Sequence, residues 1–249
     1  MLPTLEGTIA RRVLLNFRVD PKVAQRLVPN PLEVKTQNGF AVVGVCLIRL
    51  EQLRPRGFPA TIGVSSENMA HRIAIRYPEA KGMKDGVFIW RRDTDRKIIT
   101  LLGGRLFPGV HRLAQFQVKE GKDTLAMKVR TEQGGADVFL EAASVRVWEP
   151  TVAFRTFEEA SDFFSRGDCG FSCSLHKGKL EGIRLRTLKW KMHPMRVEKA
   201  RAAFYDNSSQ FPHGSVEFDC ALVMRGVPHE WHELSDVPEL AGVVGGKGK

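Results

Sequence analysis

The sequence predicts a mainly β protein with few helices, built on one large antiparallel sheet. Three observations lead to this prediction. Short runs of alternating polarity recur along the 249 residues, which is the period-two pattern of half-buried strands. Turn residues such as Asn38 and Gly39, or Gly134 and Gly135, separate these runs at short intervals, as antiparallel neighbours require. Helical spacing is confined to two short segments. The sheet is expected to curl into a barrel or a sandwich.

Nine segments carry the strand pattern. The longest, residues 40–50, is rich in valine and mostly apolar, whereas residues 73–77 and 87–91 alternate. The other predicted strands are residues 98–102, 113–118, 125–131, 138–148, 183–190 and 216–224. At least nine strands are therefore expected.

Two helices are predicted from their start signals. Asp20 supplies an N-cap oxygen before Pro21, whose fixed dihedral suits a first helical turn, and Pro29 ends this short, lid-like helix. Thr156 opens a capping box, and apolar residues then recur at helical spacing until Gly167. The second helix is amphipathic, so we expect it to pack on the sheet.

Composition indicates one domain over residues 1–241, followed by a disordered tail at 242–249 that consists almost only of Gly and Lys. The start of the chain lacks the continuous apolar core of a signal peptide, and no window approaches the roughly 18 apolar residues of a membrane span. A soluble cytoplasmic protein without membrane contact is expected. A net charge of +10, from 38 Lys and Arg against 28 Asp and Glu, favours acidic partners.

Several reaction classes lack their local signatures. The chain has no phosphate-binding loop, no Gly-x-Ser-x-Gly elbow and no His-Glu-x-x-His motif. Cys169, Cys173 and His176 are spaced more loosely than zinc knuckles, and His229 with His232 is more typical of a surface turn. The sequence therefore predicts no cofactor and no metal.

A charged constellation lies in the first half of the chain. In the predicted strand after Glu67, Arg72 and Arg76 share one face with only Ala74 between them. Two guanidinium groups on one face repel each other unless an anion lies between them, and the planar fork of arginine suits a carboxylate. The alternative is a solvated outer face with cross-strand Arg and Glu pairs.

A second basic cluster surrounds Trp190. Its members are Arg184, Arg186, Lys189, Lys191, Arg196, Lys199 and Arg201. Cations beside an aromatic ring can bind nucleic acid or another polyanion, although such clusters are more often solvated faces. No recognised reader motif accompanies the charge, so nucleic-acid binding is not favoured.

The order of several segments resembles a known superfamily. Residues 17–21 and 27–33, followed by a turn and an apolar strand, resemble the opening of the acetoacetate decarboxylase superfamily. Residues 218–222 with 228–231 are similar to its uncharacterised bacterial branch, the YqjF-like proteins. The resemblance covers residues 8–234 and implies a single domain, a curved antiparallel barrel around a central cavity. Such decarboxylases assemble into rings, so a homo-oligomer is an open expectation.

The resemblance fails at the reactive lysine. The decarboxylases form an imine on a lysine in a segment of the type Gly-Arg-Glu-x-x-Gly-x-Pro-Lys-Lys. Residues 104–112 match this segment, but Leu106 replaces the glutamate, and His111 and Arg112 replace the lysines. Neither arginine nor histidine forms an imine. Acetoacetate decarboxylation by the family's mechanism is therefore predicted to be absent.

The resulting hypothesis is a pocket without its nucleophile. Arg105 with Arg76 or Arg72 would bind the carboxylate of a small organic (oxo) acid, while Glu67 and His111 would exchange a proton with it. A histidine beside an acid is expected to titrate near physiological pH. Three classes stay open: a lyase or hydratase-type enzyme on small carboxylates without an imine, a non-catalytic binding or sensor protein, and a polyanion binder.

Overall fold

The structure is a computed structural model that describes residues 3–102, 109–174, 179–234 and 237–240. These ranges contain thirteen strands, three α-helices and two short 3₁₀ turns. The strands are β1 Leu5–Val19, β2 Glu33–Val34, β3 Thr36–Gln37, β4 Phe40–Pro55, β5 Val64–Glu79, β6 Gly82–Thr94, β7 His111–Glu120, β8 Thr124–Thr131, β9 Val138–Ser144, β10 Cys169–Cys173, β11 Leu180–Thr187, β12 His193–Ala202 and β13 Val216–Glu233. The helices are α1 Pro21–Gln25, α2 Lys97–Leu102 and α3 Phe157–Ser165, and the 3₁₀ turns are Ala60–Ile62 and Ala203–Asp206. The prediction of a mainly β fold is confirmed.

The sheet closes on itself through two hydrogen-bonded rings. Among the described strands, a larger ring runs through β1, β4, β5, β6, β7, β8, β9, β12 and β13. A smaller ring shares β13, β1, β4, β5 and β6 with it and is completed by β10 and β11. The pairings of β6 with β7 and with β10 are parallel, whereas the sequence predicts only antiparallel pairs.

The five shared strands are covered on both faces. Val13 and Leu15 of β1 face the larger ring, whose interior is the main apolar core, while Leu14 faces the opposite side. Helix α3 covers part of that opposite side with Phe163 and Phe164. Because side chains alternate along a strand, neighbouring residues of a shared strand serve different rings. This alternation decides which side chains reach the site described below.

One predicted strand, residues 98–102, is wrong, because these residues lie in helix α2. The amide nitrogens of Ile99 and Thr100 donate to the carbonyl of Arg96, at 3.0 and 3.3 Å. Ile99 is buried while Ile98 and Leu101 are exposed, which is helical and not alternating exposure. A five-residue apolar run cannot be assigned to a strand or a helix from its periodicity.

Both predicted helix starts are confirmed. The Asp20 carboxylate accepts a hydrogen bond from the amide of Lys22 at 2.6 Å, and the Thr156 hydroxyl accepts one from Glu159 at 3.1 Å. Helix α1 ends at Gln25, earlier than predicted. In the described residues, no helix has the length and apolarity to cross a bilayer. The predicted tail, residues 242–249, lies outside the described residues.

Candidate functional site

A cavity of about 110 Å³ lies inside the smaller ring. All seven strands of that ring contribute to its wall, and His111 at the start of β7 adds to it. Its apolar lining includes Ile48, Met69, Val87, Ile89, Ile183, Leu185 and Trp231. Its polar lining includes Arg12, Asn68, Arg72, Arg92, His111 and Asp168. The predicted cavity therefore belongs to the smaller ring, whereas the larger ring encloses the core.

Strand register places Arg92 in this lining. Ala70 of β5 pairs with Arg92 of β6, but Arg72, two residues further along β5, pairs with Ile89. Two steps on β5 thus match three on β6, which is a β-bulge. The extra residue reverses the alternation of β6, so that Arg92 and Ile89 both face the cavity. Strict alternation would turn one of them away.

The cavity arginines have neutral partners. The terminal nitrogens of Arg72 and Arg92 donate to the Asn16 side-chain oxygen at 2.7 Å and to the Ser172 hydroxyl at 3.1 Å. The Nε atoms of both arginines are buried and have no hydrogen-bond partner in the part of the chain that the structure describes. No described carboxylate forms an ion pair with either guanidinium group. Buried donors are normally satisfied. The Nε of Arg11 is also buried without a partner, but Arg11 has two carboxylate partners, whereas Arg72 and Arg92 have none among the described residues.

Burial shifts the pKa of two of the three arginines that line the cavity. Burial lowers the pKa of Arg72, which is 3% exposed. Burial also lowers the pKa of Arg92 to about 10, although Cys46 and Glu181 act in the opposite direction. A group with this pKa is still protonated at neutral pH. Because arginine is not deprotonated in proteins, Arg12, Arg72 and Arg92 all bring positive charge to a wall that also contains Asp93 and Asp168.

His111 lies beside Arg92 and is neutral. Burial first, and then the charge of Arg92, lower its pKa to about 3, while the Gly109 carbonyl, 3.3 Å from its Nδ1, acts in the opposite direction. The Glu181 carboxylate accepts a hydrogen bond from the Gly109 amide at 2.6 Å and so anchors this segment. The expectation that His111 titrates near physiological pH is wrong, because burial and a neighbouring cation both disfavour the imidazolium. His111 is therefore a neutral imidazole at neutral pH and can accept a proton.

The structure brings two of the five predicted site residues, Arg72 and His111, together in the cavity. Glu67 is not part of the lining; its carboxylate binds Arg11 at 2.6 Å. Arg76 shares its face of β5 with Arg72 but is 50% exposed in an ion pair with Glu33. Arg105 lies outside the described residues. The roles of Glu67, Arg76 and Arg105 at the site stay predictions.

Glu67 belongs to a separate cluster of charges at the end of the larger ring's core, which we call the Arg11 cluster. Its members are Arg11, Arg49, Glu67, Glu120 and Arg225. Arg11 is 1% exposed, and its guanidinium group binds Glu67 at 2.6 Å and Glu120 at 2.8 Å. Burial raises the pKa of Glu67, and the charge of Arg11 opposes that shift. Carboxylates thus bind both terminal nitrogens of Arg11, whereas its buried Nε has no partner in the described residues.

Arg12, Cys46 and Arg92 line the cavity and were not among the predicted site residues. Arg12 lies on β1, a strand that the sequence does not predict, and its Nε donates to the Sγ of Cys46 at 3.4 Å. Cys46 lies within the mostly apolar predicted strand 40–50. Arg92 ends a predicted strand, and its orientation depends on the bulge. The signal that could have indicated Arg12 is the pair of adjacent arginines, Arg11 and Arg12, inside an otherwise apolar segment.

The second basic cluster, Cys169 and Cys173 are not part of the cavity lining. Arg184 lies 3.5 Å from Asp168, and Arg186 lies 4.0 Å from Glu230, so both have carboxylate partners. Cys169 and Cys173 lie at opposite ends of β10, buried and exposed respectively. His176 lies outside the described residues.

Comparisons with known proteins agree with the fold. The chain matches the family model DUF2071, described as an uncharacterized conserved protein, over residues 7–227. No curated protein matches it. Acetoacetate decarboxylase from Legionella pneumophila aligns with a TM-score of 0.56 at 15% identity, covering 94% of this chain and 90% of that chain. An acetoacetate decarboxylase-like enzyme from Sphingomonas wittichii RW1 aligns with 0.59 at 15% identity, covering 95% and 94%.

A third solved structure holds a small acid. It is the enduracididine biosynthesis enzyme MppR complexed with pyruvate, which aligns with a TM-score of 0.57 at 11% identity and covers 95% of this chain and 92% of that chain. At these identities the likeness establishes the fold and leaves the activity open. The resemblance to an uncharacterised branch of the acetoacetate decarboxylase-like proteins is confirmed.

Proposed function

We propose, from the premise that the chain belongs to the DUF2071 family and has the acetoacetate decarboxylase-like fold, that its cavity binds the carboxylate of a small oxo acid. One observation carries the proposal. Arg72 and Arg92 line the same cavity, and the buried Nε of each lacks an acceptor among the described residues. A carboxylate supplies acceptor oxygens and a negative charge at once.

The rest of the lining limits the ligand to a short molecule. A volume of about 110 Å³ compares with the roughly 10–15 Å³ that one water needs on the same measure. Ile89, Ile183 and Leu185 offer an apolar wall to a methyl or methylene group. Pyruvate in the MppR complex supports an acid of this size, although that ligand belongs to the other protein.

The proposed chemistry needs no imine. The lining of the cavity holds no lysine within the described residues. Lys35, whose side chain lies near Arg72, donates to Asp85 at 2.8 Å. His111 is the proton acceptor: a carboxylate on Arg92 offsets the charge that disfavours its protonation. A proton would then pass from the carbon next to the oxo group to His111, and the arginines would stabilise the enolate. This is the first step of an imine-free lyase or hydratase reaction.

Calorimetric titration with pyruvate and acetoacetate tests the binding. We expect one saturable site per chain, and binding weaker by about tenfold or more in Arg92→Met, because a charge-assisted hydrogen bond is lost. Arg186→Met is the matched control: it removes an arginine of the same ring whose side chain is 68% exposed, and its affinity should equal that of the wild type. Unchanged affinity in Arg92→Met, or no saturable binding of either acid, would contradict the proposal.

Deuterium exchange separates an enzyme from a binding protein. In deuterated buffer, the methyl protons of pyruvate should be replaced by deuterium in the presence of the wild type and should not be replaced in the presence of His111→Gln. Binding without exchange would favour the non-catalytic binding or sensor protein. Borohydride reduction with acetoacetate should add no mass to the chain, whereas a stable adduct on a lysine would contradict the imine-free chemistry.

Arg105→Ala and Glu67→Gln test the two remaining predicted roles. If Arg105 is a carboxylate anchor, its variant loses oxo-acid affinity, and tight binding that persists would remove it from the site. If Glu67 takes part in proton exchange, Glu67→Gln slows the exchange of pyruvate protons, whereas an unchanged rate would restrict it to the Arg11 cluster.

A further inference from the structure

Cys46 occupies a central position in the wall of the cavity. On the sheet it pairs with Leu14 of β1 on one side and Ala70 of β5 on the other, and Ala70 pairs in turn with Arg92 of β6. Cys46, Ala70 and Arg92 therefore form one row across three neighbouring strands. The small side chain of Ala70 leaves space between the thiol and the guanidinium group, and all three residues line the cavity.

Cationic groups surround the thiol. The Nε of Arg12 donates to the Cys46 Sγ at 3.4 Å. Burial lowers the pKa of both Arg72 and Arg92, and Cys46 lies near enough to each of them to oppose that shift. The neighbours of Cys46 are the charges that would attract an anion.

A second, independent observation points to a ligand at this thiol. Arg72 is 3% exposed, lines the same cavity, and has a buried Nε without an acceptor in the described part of the chain. An acid whose carboxylate binds Arg72 and Arg92 would hold its neighbouring carbon within the same small space as the Cys46 sulfur. Asp168, an exposed member of the lining, marks the side on which the cavity approaches the surface.

We infer that Cys46 is a covalent site of the cavity, which reacts with small electrophiles that carry a carboxylate. This inference rests on the proposed function, since the same arginines bind the carboxylate. With an oxo acid, the sulfur would add to the carbonyl carbon. The carbon–sulfur bond forms, the carbon–oxygen π bond breaks, and the proton lost by the thiol goes to the carbonyl oxygen, which gives a reversible thiohemiketal without a co-reactant.

Alkylation by a matched pair of reagents tests the inference on the full chain. Iodoacetate and iodoacetamide differ in charge and hardly in size. In each case the sulfur forms a bond to the methylene carbon, iodide leaves with the electron pair, and the thiol proton goes to the buffer. We expect the ratio of the iodoacetate rate to the iodoacetamide rate at Cys46, from peptide mass mapping, to exceed the ratio at Cys173 by about tenfold or more.

Cys173 is the internal reference, because it is exposed and does not line the cavity. Arg92→Met should reduce the ratio at Cys46 and leave the ratio at Cys173 unchanged. Pyruvate should slow alkylation of Cys46 and not of Cys173. These three results together would support the inference.

Two results would overturn it. One is a folded chain in which Cys173 reacts while Cys46 reacts with neither reagent. The other is a ratio at Cys46 that equals the ratio at Cys173. Calorimetry with pyruvate on Cys46→Ser distinguishes failure of the covalent site from failure of the proposed function. If this variant binds pyruvate and Cys46 of the wild type is unreactive, the covalent site is ruled out and the proposed function stands. If Cys46 reacts equally with both reagents and the chain binds no oxo acid, the covalent site and the proposed function are both ruled out.

Discussion

Two buried arginines, one in each ring, differ in the charge of their hydrogen-bond partners. Arg11 is 1% exposed and binds the carboxylates of Glu67 and Glu120, at 2.6 and 2.8 Å. Arg72 is 3% exposed, and its hydrogen bond goes to the neutral side chain of Asn16. Equal burial therefore does not imply an equal role. The Arg11 cluster carries its own counter-charges and closes the end of a core, whereas under the proposed function Arg72 and Arg92 receive their counter-charge from a ligand.

Arg11→Met should break the first site and give the largest effect. The substitution leaves Glu67 buried without its main cation, and losing one partner of a buried pair costs about 3 to 5 kcal/mol. Urea unfolding measures this loss in the free energy of unfolding. Arg49→Met, which removes a 47% exposed arginine of the same cluster, should cost much less. Equal losses in the two variants would contradict the structural role of Arg11.

His71→Phe sharpens the contrast between the two rings through pH. His71 is fully buried and stacks on Phe204 at 4.6 Å in the core region of the larger ring. Burial first, and then the charge of Arg91, lower its pKa to about 3. In the unfolded chain His71 is protonated as the pH falls below about 6.5, whereas in the folded chain it is protonated only near its lowered pKa. The free energy of unfolding is therefore highest above about pH 6.5 and falls on acidification.

The variant should remove that loss. Between about pH 7.5 and pH 4.5, the free energy of unfolding of His71→Phe should rise relative to the wild type by about 3 kcal/mol. Denaturant unfolding at both pH values measures the difference. A constant difference across this range would show that His71 is protonated in the folded chain as easily as in the unfolded one.

Arg92→Met tests the second site with a smaller effect on stability. The guanidinium group loses one neutral hydrogen bond, to Ser172, and its apolar replacement no longer has a charge to desolvate, so we expect a change of about 1 kcal/mol or less. The affinity for oxo acids should fall while the fold persists. A loss of stability as large as that of Arg11→Met would mean that the cavity arginines are structural.

Arg76→Ala should have the smallest effect. Its ion pair with Glu33 joins a 50% exposed and a 56% exposed side chain, and such pairs contribute less than about 1 kcal/mol. We expect oxo-acid affinity and thermal unfolding to match those of the wild type. A clear loss of affinity would favour Arg76 over Arg72 as the carboxylate ligand on β5.

Local patterns in the sequence predict much of the fold and less of the site. The continuous apolar run of β4 and the capping signals of α1 and α3 are sufficient, because each acts within a few residues. Strand β1 escapes prediction because Arg11, Arg12 and Asn16 interrupt its apolar pattern. These polar residues belong to the Arg11 cluster or lie at or beside the cavity. Their side chains replace the apolar residues that would have made the strand recognisable.

The composition of the cavity wall depends on features that no local pattern contains. A residue of a shared strand faces one ring or the other, and the sequence does not show that two rings exist. The bulge opposite Arg72 decides that Arg92 faces the cavity. The sequence is sufficient to predict that Arg72 lies on a strand. The ion pairs that keep Glu67 and Arg76 out of the cavity depend on how β5 pairs with β4 and β2, which the sequence does not show.

A crystal structure of the chain with pyruvate at saturating concentration tests the central claim most directly. We predict pyruvate inside the smaller ring, with carboxylate oxygens within hydrogen-bond distance of the Nε atoms of Arg72 and Arg92. Pyruvate bound elsewhere, or a cavity that stays without it while another group of the chain satisfies both Nε atoms, would contradict the claim.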